Sequence, residues 1–219
     1  MKRVAALCAV LLLCACSRGE QGYYPLKEGS TWEYQISLGR GQTERGVLTN
    51  LAQRDLKGKK VTPQKFDIGQ QSYFTFIAAD DTGIYEYAQQ PAGALEPEVP
   101  SVPSFLFKYP LKTGNTWDGT TEPKFLSAKI SIPTKATIES LEEVVTVPAG
   151  TFKNCVKTAV VGENVADLGP FMGKARIRIE EHTWFCPDVG PVKSVRKEGS
   201  NHLTMQPVQV SVELASFKK

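Results

Sequence analysis

Two histidines and three adjacent acidic pairs are the first places to look for chemistry. His182 stands in Glu180-Glu181-His182-Thr183-Trp184, a strand-like run. A strand would put Glu180 and His182 on one face, too few ligands for a metal centre, so a solvated polar face is expected. His202 lies in the turn-like Gly199-Ser200-Asn201-His202 and should be exposed. The acidic pairs Asp80-Asp81, Glu142-Glu143 and Glu180-Glu181 are neighbours in sequence. On strands their carboxylates point to opposite faces, so no pair makes an acid/base dyad. Asp80-Asp81-Thr82-Gly83 lacks the further oxygens of a calcium loop and reads as a hairpin turn. HExxH, GxSxG, Walker and GxGxxG patterns are missing from the body of the chain. The expectation is a protein that is not an enzyme, with no metal and no cofactor beyond covalent lipid.

The amino terminus carries a different chemistry. Lys2 and Arg3 precede the apolar run Val4–Leu13, which at 1.5 Å per residue spans about 15 Å, half of a bilayer's hydrocarbon core. Leu13-Cys14-Ala15-Cys16 follows. This segment resembles the signal and lipobox of bacterial lipoproteins, with Cys14 where Ala, Ser or Thr is commoner. The resemblance implies cleavage before Cys16, diacylglycerol on its thiol and acylation of the new amino terminus. Two or three chains hold a membrane firmly where one does not. Ser17, in place of the aspartate that favours inner-membrane retention in enterobacteria, leans the expectation to the periplasmic face of the outer membrane. Residues 1–15 are read as signal, 16–22 as a short tether and 23–219 as a β-rich domain.

Without Lys2 and Arg3 the basic residues fall from 26 to 24, against 23 acidic ones. Near-neutrality argues against nucleic acid as a partner. Of the five cysteines, Cys8 and Cys14 leave with the signal and Cys16 is acylated, which leaves Cys155 and Cys186. Lys153–Val161 and Ala175–Cys186 read as strands around a turn-rich loop, Gly162 to Lys174. Folding that hairpin about its midpoint sets Cys155 opposite Cys186, so a disulfide is expected in an oxidising compartment.

The elements that must position these groups are strands. Period-two alternation marks Thr31–Leu38, with Trp32, Tyr34, Ile36 and Leu38 on one face, and Lys124–Ile132, Ala175–Ile179 and Val208–Leu214. Gln71–Ala79 and Ile84–Ala88 form a hairpin across Asp80–Gly83, and Ile138–Val145 reads as strand. The expectation is an all-β, antiparallel barrel, half-barrel or sandwich. Gln90–Ser104 holds four prolines and reads as an extended loop. The nonapeptide Tyr24-Pro25-Leu26-Lys27-Glu28-Gly29-Ser30-Thr31-Trp32 recurs at Tyr109–Trp117 with seven identities, 85 residues on. Each copy reads as a turn followed by a tryptophan core anchor. The repeat suggests two related halves, 23–89 and 105–219, joined by the loop 90–104.

Val147-Pro148-Ala149-Gly150-Thr151-Phe152 and Trp184-Phe185-Cys186-Pro187-Asp188-Val189-Gly190-Pro191-Val192 resemble turn segments of β-rich envelope lipoproteins of unassigned function. Some of these resemble the open half-barrels of lipoprotein carriers. The aromatic residues Tyr73, Phe74, Phe76, Tyr85 and Tyr87 fall on both faces of one hairpin, as core or as a groove for an apolar ligand. The leading expectation is a membrane-anchored, non-enzymatic binding or assembly module whose partner is an apolar ligand or an envelope protein. The alternatives are a hydrolase with a carboxylate-based site and a structural subunit of an envelope complex.

Overall fold

The computed structural model describes residues 20–39, 41–124, 130–170 and 172–219. The signal segment, Cys16 and Ser17 lie outside them. After a short 3-10 turn at Glu20–Tyr23 come thirteen strands. The first seven are β1 (Thr31–Ser37), β2 (Thr43–Asn50), β3 (Arg54–Leu56), β4 (Lys59–Ile68), β5 (Gln71–Asp80), β6 (Gly83–Gln90) and β7 (Ser104–Lys108). The rest are β8 (Thr116–Thr121), β9 (Ile132–Val147), β10 (Gly150–Asp167), β11 (Lys174–Cys186), β12 (Gly190–Ser200) and β13 (Val208–Lys218).

They build one antiparallel sheet in the order β7-β6-β5-β4-β2-β1-β13-β12-β11-β10-β9-β8, with β3 pairing on β4 off that path. The sheet curls into a nearly closed barrel. First and last strands meet at its middle, with Thr31 opposite Lys218, and its edges are β7 and β8. A side chain spans the gap between these edges: the Trp117 indole N–H donates to the Phe105 carbonyl at 3.3 Å. Strands from residues 23–89 and 105–219 thus share one sheet, across β6–β7 and across β1–β13.

Burial follows the alternation that makes these segments strands. Trp32, Tyr34 and Ile36 are buried while Gln35 is exposed. Ile132, Thr134, Ala136 and Ile138 point inward while Pro133 and Lys135 point out. One interior cluster centres on Trp32, Tyr34, Ile36, Val192 and Leu214, and a second on Ile77, Ile84, Phe107, Ile138, Val156 and Phe185. The tip of the long β9–β10 hairpin folds over the first cluster, where the Ala149 N–H donates to the Leu214 carbonyl at 2.9 Å.

Both copies of the nonapeptide build the same device. The Gly29 N–H donates to the Asn50 carbonyl (3.0 Å), and the Asn50 N–H returns a bond to Ser30 (2.9 Å). In the second copy Gly114 donates to Ile138 (2.8 Å) and Ile138 to Asn115 (2.9 Å). Both glycines need positive φ, 77° and 85°. An asparagine amide braces each copy: Asn50 donates to the Pro25 and Lys27 carbonyls, Asn115 to Lys108 and Pro110. Each tryptophan is buried and donates its indole N–H to a backbone carbonyl, that of Val189 for Trp32.

Three sequence expectations change. The loop between β10 and β11 is shorter than 162–174, because Gly162 does not turn. It stays in the strand, where a Cβ would lie 2.7 Å from both the Pro133 carbonyl and a Thr134 methyl, so the glycine lets β9 approach. The strand expected over Lys124–Ile132 begins only at Ile132, and residues 125–129 lie outside the described ones. His202 is partly buried rather than exposed, its Nδ1 held at 2.8 Å from the Thr204 hydroxyl.

Candidate functional site

The inward face of β11 and β12 is apolar at the disulfide end and charged further along. Phe185 and Val192 belong to the core, and beyond them Thr183, Glu181, Ser194, Arg196 and Glu198 point the same way. Register fixes this: Arg196 lies opposite Glu181 on one side and Val210 on the other, with Ser194 opposite Val212 and Glu198 opposite Val208. Two neighbouring strands therefore present a charged wall and an apolar wall side by side.

Arg196 organises the charged wall. It donates Nε–H to Glu198, Nη1–H to Glu181 at 2.8 Å and Nη2–H to the Glu122 carbonyl at 2.7 Å. Its side chain is 14% exposed and that of Glu198 only 3%. Burial opposes the guanidinium charge, but the Glu198 hydrogen bond and the Glu181 charge outweigh it and raise the pKa further. Glu198 also accepts the Lys124 backbone N–H at 2.7 Å, and Glu181 accepts the Ser194 hydroxyl at 3.2 Å. The cluster thereby pins residues 121–124, which leave the edge strand β8, to β12 across the barrel.

Two cavities meet at Glu181. The smaller, about 160 Å³, lies along the β7/β8 gap among Ser104, Trp117, Thr121, Thr134, Thr158 and Thr183. The larger, about 550 Å³, has Leu38, Val208, Val210 and Val212 on one wall and Glu181, Ser194, Arg196, Glu198 and Lys124 on the other. That is the size and polarity of a site for a small amphiphile: apolar surface for the body, a few fixed polar groups for the head.

A further acid is held by the barrel. Glu86 lies on β6 opposite Ile77 and Ser104. Burial pushes its carboxyl up to about 6, with only the Lys124 charge pulling it down. Its charge is felt by Tyr24, whose hydroxyl donates to Gln64 at 2.8 Å; the Gln64 amide in turn donates to Asn50 at 2.8 Å. This buried chain satisfies the Gln64 and Asn50 amides of β4 and β2 together with the Tyr24 hydroxyl of the N-terminal segment.

The residues singled out in the sequence are distributed elsewhere. Cys155 and Cys186 form a disulfide, where β10 bends next to β11. Phe74, Phe76, Tyr85 and Tyr87 gather on the outer face of β5–β6 with Val61, under Leu56 of β3 and Val99 of the proline-rich loop. The chain thus covers that face with its own residues, and the Arg54 guanidinium lies 5.0 Å from the Phe76 ring centre. Tyr73 is apart from them, opposite Phe66 on the other face, and donates its hydroxyl to Gln71. His182 is on the outer face with Glu180 (3.1 Å) and Glu139 (3.3 Å), and Glu139 also pairs with Lys157. Adjacent Glu180 and Glu181 do point to opposite faces. Among the described residues no group of three or more His, Cys, Asp or Glu is placed to hold a metal ion. Arg196 and Glu198 were not singled out in the sequence. The signal was there in faint form: apart from Val195 every residue of β12 from Lys193 to Glu198 is polar, although neither face of a strand inside a curled sheet is obliged to be so.

Two solved structures are similar to this chain. One is a protein from Bacteroides fragilis described as exported and as having a YmcC-like fold (TM-score 0.47, 12% identity, 89% of this chain and 98% of that one). The other is a protein from Parabacteroides distasonis described as a lipoprotein (TM-score 0.44, 14% identity, 90% and 98%). No protein-family profile and no curated protein matches the chain.

Proposed function

We propose that this chain is a lipid-anchored, non-enzymatic binding module of the cell envelope that holds a small amphiphile inside its barrel. The anchor is Cys16, and Ser17 assigns it to the periplasmic face of the outer membrane. The observation that carries the binding reading is the 550 Å³ cavity with a valine wall facing a charged wall. The ligand's apolar body lies on Val208, Val210 and Val212, and its head group meets Glu181, Ser194 and Lys124. Arg196 is spoken for by two carboxylates, so it sets the shape of the charged wall. Glu181 and Glu198 are both held by the one Arg196 guanidinium, which favours a fixed wall for holding a ligand.

The test is mass spectrometry of organic extracts from protein purified out of envelopes, beside a V210W variant that fills the cavity. Expected are an amphiphile stoichiometric with the native protein and a loss of roughly tenfold or more in the variant. An empty native protein that also fails to bind a fluorescent amphiphile such as anilinonaphthalene sulfonate would sink the reading. Anchoring is read separately, from the mass of the peptide beginning at Cys16 and from sucrose-gradient separation of inner and outer membranes.

A further inference from the structure

The smaller cavity, at the β7/β8 gap, has a chemistry of its own. Register lays out its inner wall in rows that cross the strands. Ser194, Thr183 and Thr158 lie opposite one another in the first row. The second runs Arg196, Glu181, Val160, Ala136, Trp117, and the third Glu198, Ile179, Gly162, Thr134, Gly119. Space is left where Ala136 and Gly119 are small. A Cβ on Gly162 would meet the Thr134 methyl at 2.7 Å, whereas one on Gly119 would meet the Thr134 Oγ1 at 3.3 Å. Thr134 therefore turns its methyl towards β10 and its hydroxyl towards the edge strand β8.

The hydroxyls of this wall are set up for a partner of their own kind. Thr134 and Thr158 line the cavity and are 9% and 4% exposed. Among the described residues neither hydroxyl has a hydrogen-bond partner. A hydroxyl buried in this way costs stability unless something polar fills the space before it. Two others are already oriented. The Thr183 hydroxyl donates to Ser194 (3.4 Å) and the Ser194 hydroxyl to Glu181 (3.2 Å), which leaves the Thr183 oxygen to accept. Thr121 Oγ1 accepts from both Nη atoms of Arg196 at 3.3 Å, which leaves its proton to donate. Trp117 and Phe105 add aromatic surface. The charges, by contrast, are spent. Glu181 and Glu198 are matched by Arg196 and Lys124 along the larger cavity, and Glu86, opposite Ser104, adds an acid. An anionic head gains nothing here, and a cationic one must pass Arg196 and Lys124.

We infer that the smaller cavity is the head-group subsite of the barrel, and that the head it takes is an uncharged polyol, a sugar in the first instance. The ligand's chain lies on the valine wall, passes Glu181 where the two cavities meet, and presents its hydroxyls to Thr121, Thr134, Thr158 and Thr183. Sugar hydroxyls both donate and accept, as this set of side chains requires, and a head that lacks them leaves buried polar groups unpaired. The inference rests on the amphiphile-binding reading and names the chemical class of its ligand.

The experiment compares three probes that share one chain and differ in the head: octyl glucoside, octyl sulfate and octyltrimethylammonium. Each is titrated, below micelle formation, into the full-length protein reconstituted in phosphatidylcholine vesicles, and the heat is read against empty vesicles. Expected is octyl glucoside bound roughly tenfold or more tightly than either ionic probe, with that advantage lost in a T158V/T183V variant, which removes two hydroxyls at nearly constant volume. Should thermal melts show the valine pair to be misfolded, Gly119→Ala serves instead, since its methyl crowds the Thr134 hydroxyl from β8; it too should cost the glucoside its advantage. An ionic probe bound as tightly as the glucoside, or an advantage that survives in the folded variant, overturns the head-group inference alone. No binding of any of the three fails the amphiphile reading and this inference with it.

Discussion

Among the carboxylates of the described residues, Glu86 is the one in which burial prevails and disfavours the charge. Its carboxyl is pushed up to about 6 from an ordinary 4.5 because burial penalises the anion, and the Lys124 charge only partly offsets this. Between those two values the folded protein binds more protons than the unfolded chain, so stability falls as pH rises through the window from about 4.5 to 6. Above it the loss is complete, on the order of 1–2 kcal/mol once the partly exposed position is allowed for. Glu86→Gln removes the penalty. Thermal melts should show the variant level with the native protein near pH 4 and a few degrees higher at pH 7. Parallel melting curves across the whole range would dismiss the argument. The sequence offered no hint of Glu86, since Tyr85-Glu86-Tyr87 looks like any half-exposed strand. Arg196 was hidden for a related reason. Lys193 to Glu198 carries polar residues at both parities, with Val195 the one apolar member, so only pairing with Glu181 and Val210 reveals which residues face the cavity.

The β10–β11 hairpin shows what can be read of an element in advance. The position of Cys155 opposite Cys186 followed from the midpoint of the turn, and the disulfide is where that arithmetic puts it. The length of the strands did not follow. Gly162 reads as a turn residue by type, but its missing side chain serves the close approach of β9, a contact that sequence alone does not disclose. The hairpin bends at register shifts between Phe152 and Thr158, and there the disulfide fixes β10 to β11. With 31 residues of separation, the chain-entropy account gives the cross-link about 3–4 kcal/mol. For a domain of this size that amounts to roughly 10 °C in melting temperature. Dithiothreitol and the C155S/C186S variant should each lower the melt by that amount. A melting temperature indifferent to reductant would show that packing of the bend, and not the cross-link, sets the stability.

At the scale of the molecule, β8 to β13 followed by β1, β2, β4, β5, β6 and β7 is one unbroken antiparallel path. The chain simply begins in the middle of it. Strand content and the alternation of Trp32, Tyr34 and Ile36 were legible, and the nonapeptide rightly marked two sheet-starting turns. What could not be read was that the strand begun by the second turn forms an edge while that begun by the first lies at the centre, because that depends on β13 returning to pair with β1. Lys219 lies beside Gly22 and Lys27 around one depression, so a short glycine-serine linker can join Lys219 to Glu20. New termini between Lys112 and Thr113 would then open the chain at the β7/β8 gap. If the gap is held by side chains, with Trp117 donating to Phe105 and Arg196 holding Thr121 and Glu122, this permutant should fold to the same β-sheet spectrum. Its melting temperature should fall by less than about 10 °C, the cost of one lost loop constraint. Its W117F version should fall further than W117F does in the native order, since the indole would then be one of the few links between the two edges. A permutant that stays unfolded would mean that the covalent turn at 109–115, and not the contacts across the gap, closes the barrel.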